Sequence, residues 1–382
     1  MGAKSKLLLD SSRSFFVYRR KCMPEIVPLE WTGDSLRVLD QLMLPQEQSV
    51  VTAHTHTEVI SALYSMQIRG SSLVAVAGAY GLVLASKSIN TLDLQRMFNY
   101  LGDAGKELVN ANPTNLSLEK AISRVLLAGY AAKAISSVRS LMEEEAITIH
   151  KEDLAANQLI GEIGSYLLPK DGTVLTFSNS GALATTGFGT ALGAIRAAYT
   201  RSKKLNVIVS ETRPMLEGSR LTMWELIQLG IPSTLIVDSA AGKYMASGKV
   251  NCVVVGGDRI SSKGDIVGPI GTYPLAVIAH ANEIPFYVMS PTSNIDQPEK
   301  IWDSIGLEER DSTEVLQFSK PLVTPKGIAI HNPSVDITPS KYVTGIVTEK
   351  GTIEPPFDSE LEKFSKVGTM INQLDPREIL PG

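Results

Sequence analysis

Residues 174–193 read VLTFSNSGALATTGFGTALG: a short apolar run, a polar corner at Ser178–Ser180, and then a long series of small residues. The pattern predicts a strand, a tight turn and the N-terminus of a Gly/Ala-rich helix. The first N–H groups of a helix lack partners within it, and its dipole places partial positive charge there. The corner is therefore expected to attract an anion. Ser178, at the carboxyl end of the strand, falls where open α/β sheets bind ligands. Close packing of a helix on a sheet explains Gly181, Ala182, Ala184, Gly187, Gly189 and Gly193 equally well. The segment does not match GxGxxG and has no P-loop lysine, so nothing in it points to a dinucleotide or a nucleoside triphosphate.

Downstream, further β-branched runs alternate with helical stretches. LNVIVSE precedes RLTMWELIQLG, STLIVD precedes SAAGKYMASG, NCVVVGGD precedes TYPLAVIAHANE, and PFYVMS follows. This alternation predicts an α/β fold with a parallel, doubly wound sheet whose strands are covered on both faces. Upstream, from about Thr57 to Ile149, apolar residues recur at helical spacing, with a turn at Asn112–Asn115. Before that, EIVPLEW and SVVTAHT read as strands around one helix, SLRVLDQLML. The expected organisation is a tail over 1–24, a mainly helical domain with short strands over 25–155, and an α/β domain over 156–382. The helix EDLAANQLIGEIGSYLL is expected to join the two domains.

The 382 residues suit two domains. A formal net charge of −4 leaves the whole chain without an electrostatic footprint for nucleic acid, so anion binding must come from local groups. The two cysteines, Cys22 and Cys252, do not suggest a disulfide framework and fit a reducing compartment. No apolar run reaches the length of a membrane span. The histidines His54, His56, His150, His280 and His331 show no paired metal-ligand spacing, and no metal is expected even though His54 and His56 read as sharing one side of a strand.

Each predicted strand end carries polar residues: Ser178 and Asn179; Glu211, Thr212 and Arg213; Asp238 and Ser239; Asp258 and Arg259. Together they favour a ligand site along one sheet edge. Asp258 is the best acid–base candidate, since a carboxyl on the floor of a closed cleft can have a raised pKa and hold a proton. Gly256 and Gly257 before it would allow close approach of a ligand. Capping the next turn, or pairing with Arg259, would explain Asp258 as well. Arg69, Gly70 and Ser71 offer a guanidinium and backbone N–H groups that suit a phosphate; a surface arginine beside a helix cap is the plainer reading.

The motifs MQIRG at 66–70, SGALATTGFGTALGAIR, ETRPMLEGSRLTMWEL, GGDRI, KGDIVGPIGTYPLAV, GLEERDSTEV and NPSVDITP, taken together, resemble the methylthioribose-1-phosphate isomerase family. That family is related to the regulatory subunits of translation initiation factor 2B, and the resemblance covers nearly the whole chain. It implies a Rossmann-like C-terminal domain, a homodimer, and conversion of 5-methylthioribose 1-phosphate to its ketose in methionine salvage without a metal or organic cofactor. It also implies a cytoplasmic or nuclear location and no membrane or nucleic-acid partner. Asp258 and Ser178 would be catalytic, and Arg69, Gly70, Ser71 and Glu217 would bind the substrate. The apolar residues of NPSVDITPSKYVTGIVTEKG are expected to seal the dimer.

Five positions depart from the family pattern. The family usually has cysteine at Ser178, arginine at Asn112, glutamine at Glu217 and Asn-Lys at Gly268-Pro269. Two positive charges near the phosphate are thereby absent, with Arg96, Arg124 and Lys263 as candidate substitutes. Two other readings stay open: a regulatory or binding protein on the same fold, and an isomerase of another sugar phosphate.

Overall fold

The computed structural model describes residues 23–201, 203–296, 309–316, 324–325 and 327–365. Cys22, nearly all of the expected tail and the start of GLEERDSTEV lie outside them.

Three short antiparallel strands open the described chain: β1 (Leu29–Trp31), β2 (Leu36–Leu39) and β3 (Val50–Ala53), in the order β1-β2-β3. SLRVLDQLML is therefore not the expected helix. Its leucines fall at helical spacing, but Leu36 and Val38 are buried while Arg37 between them is exposed. That period of two pairs β2 with a neighbour on each side. His56 also departs from expectation. The strand ends at Ala53, Thr55 caps the next helix, and His56 opens it.

Five helices follow: α1 (His56–Tyr64), α2 (Ser71–Ser88), α3 (Leu94–Asn110), α4 (Leu116–Tyr130) and α5 (Ile135–Leu167). They surround α2, which is long and apolar enough to cross a membrane by composition but is 83% buried within the protein. It is the core helix of this layer, with α3, α4 and α5 packed around it. The 33-residue α5 runs through the expected boundary at 155. Val138, Met142, Ala146 and Ile149 pack in the helical core, and Ile160 packs against the sheet. One continuous helix thus serves both cores.

The main sheet has seven strands: β4 (Asp171–Thr176), β5 (Lys204–Ser210), β6 (Ser233–Ile236), β7 (Cys252–Gly256), β10 (Phe286–Met289), β12 (Gly345–Thr348) and β13 (Gly351–Ile353). Their order is β13-β12-β10-β7-β4-β5-β6, parallel except for β13. Alternate residues serve opposite faces. Val174, Val207 and Val254 face a core shared with α6 (Ala191–Thr200) and α7 (Met223–Gln228). Leu175, Ile208 and Val253 face one shared with α8 (Ala241–Ala246) and α9 (Thr272–Ala281). The doubly wound α/β fold is therefore present. A side sheet pairs β8 (Arg259–Ile260), β9 (Ile266–Pro269) and β11 (Val335–Thr338). Ile346 and Val347, expected at a dimer interface, are instead wholly buried in the main sheet.

From β4 the chain winds outward through β5 and β6, then returns to the other side of β4 as β7. The strand order therefore reverses between β4 and β7. A crevice at the carboxyl ends of these two strands follows from the topology.

Candidate active site

Ser178 and Asp258 stand on the two sides of that crevice, Ser178 after β4 and Asp258 after β7. Both line an inner chamber of about 60 Å³ with Asn179, Ser180, Thr190, Asn294 and the Arg69–Ser72 segment. It opens into an outer chamber of about 520 Å³ between the helical layer and the sheet. Arg69, Gly70, Ser71, Asp258 and Pro269 line both. The inner chamber suits a reacting centre, and the outer one has room for the bulk of a small ligand.

The helix expected to begin at Asn179 begins at Ala191. Between β4 and α6 lies a loop with one short 3-10 turn, Ala182–Ala184. Gly187 and Gly189 take positive φ values of 140° and 91°, which interrupt a helix. The N–H groups expected to receive an anion already have one. Glu225 of α7 accepts from Ala182 N at 2.7 Å, from Leu183 N at 3.2 Å and from the Asn179 amide at 2.8 Å. Burial pushes this carboxyl up, opposed by those same hydrogen bonds. At Gly181 a Cβ would lie 2.3 Å from the Glu225 oxygens, so only glycine admits the carboxylate there.

Ser178 itself is held by its backbone. Its N–H donates to Thr212 Oγ1 at 2.7 Å, and its carbonyl accepts from Thr222 Oγ1 at 2.6 Å. Ser178 and Thr212 adopt left-handed φ values of 58° and 63°, each costing about 1–3 kcal/mol. Asp238 holds the second of these in place, accepting from Ser210 Oγ, Thr212 N and Arg213 N. Asp238 is thus consumed in building the corner and is not available to a ligand. The Oγ atoms of Ser178 and Ser180 are buried without a hydrogen-bond partner among the described residues.

Asp258 donates its N–H to the Val267 carbonyl, which ties it to the side sheet. Its carboxyl makes no hydrogen bond among the described residues. Burial pushes its pKa up, the Arg69 guanidinium opposes this, and the Glu217 carboxylate adds to it. Pairing with Arg259 does not occur: Arg259 is bound to Asp296. Gly256 and Gly257 line the inner chamber, and a side chain on either would crowd its neighbours. Added Cβ atoms would lie 3.0 Å from Ser180 Cβ and 2.9 Å from Val288 Cγ1. The Gly257 carbonyl is fixed by Ser290 Oγ at 2.7 Å and by the Asn294 amide at 2.9 Å. Asn294 in turn accepts from Ser117 Oγ of α4 at 2.6 Å, which links the helical layer to the backbone beside Asp258.

Arg69, Gly70 and Ser71 lie where α2 enters the cleft. Gly70 has φ 95° and would place a Cβ 2.4 Å from Ala184 Cα, so glycine is required. It is the N-cap of α2 and supplies no side-chain cap. Arg69 Nη1 donates to Asn179 Oδ1 at 3.4 Å, and Nη2 is 3.6 Å from Glu217 Oε1. Asn112 and Pro269 line the outer chamber as neutral groups, whereas Arg96, Arg124 and Lys263 line neither chamber. Sequence reading missed Glu225, Asn294 and Arg310. Arg310 reaches the outer chamber and pairs with Glu314. Glu225 and Arg310 lie inside quoted motifs, but nothing in their spacing says which carboxylate meets which amide. Among the described residues no cluster of three or more potential metal ligands occurs.

The chain matches the model of the initiation factor 2 subunit family over residues 67–355. It is 43% identical over 339 residues to methylthioribose-1-phosphate isomerase from Acetivibrio thermocellus, covering 88% of this chain and 99% of that one. The enzyme of that name from Pelotomaculum thermopropionicum is 42% identical, over 88% of this chain and 93% of its own length. Among solved structures, 5-methylthioribose 1-phosphate isomerase from Pyrococcus horikoshii superposes with a TM-score of 0.81 at 33% identity, over 90% of this chain and 97% of that one. The delta subunit of translation initiation factor eIF-2B from A. fulgidus gives 0.79 at 36% identity, over 89% and 99%. A fold shared over about nine-tenths of the chain with these proteins, and identity above 40% to isomerases of that name, mean that this chain belongs to the initiation factor 2 subunit family, on its methylthioribose-1-phosphate isomerase branch.

Proposed function

We infer that the protein is an aldose–ketose isomerase converting 5-methylthioribose 1-phosphate to 5-methylthioribulose 1-phosphate, the chemistry its relatives are named for. One observation carries the assignment of roles: a half-buried carboxyl with a raised pKa lines the same inner chamber, at the reversal of strand order, as a buried serine hydroxyl that has no hydrogen-bond partner among the described residues. The reaction needs a proton on the ring oxygen as its bond to C1 breaks. The C2 hydrogen then moves with its electron pair to C1, and the C2 hydroxyl loses its proton to become the ketone. Asp258, held protonated by burial, gives the first proton and, once ionised, receives the last. Ser178 Oγ hydrogen-bonds a sugar oxygen. Arg69, with the backbone of Gly70 and Ser71 at the uncapped start of α2, takes the phosphate. The rearrangement is redox-neutral within one molecule and balances without a cofactor.

The deciding experiment is purified protein with 5-methylthioribose 1-phosphate, ketose formation being followed by NMR. Binding without turnover would favour the regulatory reading, for which the neutral Asn112 and Pro269 speak. We also propose a homodimer. Edge strand β6 leaves Leu235 and the following Val237 exposed at 43% and 53%, an edge that a second copy would cover. Light scattering at micromolar concentration that shows only a 41.2 kDa species would overturn this.

A further inference from the structure

Glu217 sits beside Arg69, the guanidinium read above as the phosphate site. Its Oε1 lies 3.6 Å from Arg69 Nη2, and both side chains are nearly buried, at 10% and 11% exposure. Glu217 lines the outer chamber next to the point where the inner one opens. Its partners differ from those of the other buried carboxylate on the same stretch of chain. Glu225 is saturated by three N–H donors. Glu217 receives no hydrogen bond among the described residues, and its separation from Arg69 exceeds hydrogen-bond length. Arg220, one turn on, feels the Glu217 charge, but its Nη1 is engaged by the carbonyls of Gln41 and Leu44 and its Nε by that of Met215. The carboxylate is therefore held by charge alone and is free to be displaced.

We propose that Glu217 is a specificity-determining residue that competes with the substrate's phosphate for Arg69 and so sets how tightly the site holds an anion. The inference rests on the reading that the phosphate binds at Arg69. A phosphate arriving at the guanidinium meets a negative charge already 3.6 Å from it. It binds only as that charge is displaced or the repulsion between the two is tolerated. Every phosphate meets this cost, the sugar phosphate included, so a ligand that makes further contacts in the cleft offsets it better than inorganic phosphate does.

The test is calorimetric titration of inorganic phosphate into the wild-type protein, E217Q and R69A, alongside KM for the sugar phosphate. E217Q keeps the shape of the side chain and removes its charge. Phosphate binding at least tenfold tighter in E217Q than in wild type, with KM lowered in parallel, is the expected result. Equal or weaker binding in E217Q, with binding lost in R69A, overturns the proposal while leaving Arg69 as the phosphate site; Glu217 would then orient Arg69. Binding of phosphate that survives R69A overturns both. If E217Q does not fold, as judged by circular dichroism, E217S removes the same charge and is read in the same way.

Discussion

Two faces of one loop treat their polar groups in opposite ways. Behind residues 178–190, Glu225 and Asp238 are each satisfied by three donors. In front, toward the crevice, the half-buried Asp258 carboxyl and the buried Oγ atoms of Ser178 and Ser180 have none among the described residues. A buried polar group left without partners costs stability, so such groups persist where a ligand completes them. The saturated face fixes the backbone of the loop, and the unsatisfied face keeps its valences for the substrate.

The comparison breaks most sharply at Asp258. Asp258→Asn is expected to lower kcat by roughly 10²–10⁴-fold, with no loss in Tm, because no hydrogen bond to the carboxyl is given up. Near-wild-type turnover would remove Asp258 from the mechanism. The pH dependence follows from the sign of its shift. Burial and the Glu217 charge raise its pKa against the pull of Arg69. The protonated acid therefore persists above the usual carboxylate range, and activity falls as pH rises through the raised value. Asp258→Asn should lose that limb.

Glu225→Ala tests the other face. It strands the N–H groups of Ala182 and Leu183, while the Asn179 amide keeps Thr222 Oγ1 at 3.3 Å. At about 1–3 kcal/mol for each buried unpaired group, a loss of at least about 2 kcal/mol is expected in urea unfolding. A change under about 0.5 kcal/mol would make the donor count irrelevant. Asn294→Asp is expected to cost about tenfold in kcat, since it removes the amide donor from the Gly257 carbonyl and lets Asp258 shift. An effect on KM alone would show that Asn294 does not position the acid. The smallest effect is expected at Ser178→Ala. About fivefold in kcat, equivalent to roughly one hydrogen bond of ~1 kcal/mol, should be lost with no measurable destabilisation, because Ser178 Oγ has no partner to leave behind. A large drop in Tm there would contradict the division between the two faces.

The parallel sheet, the helical layer and the gathering of Ser178 and Asp258 at one sheet edge are legible in the order of residues. Near-continuous apolar runs followed by polar residues are local patterns, and a doubly wound sheet brings its strand ends to one edge whatever the helices between contain. The reading failed where spacing serves two structures at once. SLRVLDQLML carries a helical period and a strand period, and pairing with β1 and β3 selected the strand. The glycine run after Ser178 also looked like a helix start open to an anion, but a carboxylate more than forty positions away in the chain took its N–H groups. Likewise the Glu217 charge beside Arg69 comes from a segment far along the chain. The sequence by itself determined which chemical groups the cleft could hold and at which sheet edge they gather. Only the tertiary structure decided which are satisfied within the protein and which stay open to a ligand, because hydrogen bonds and charge pairs depend on distance in space and not on separation along the chain.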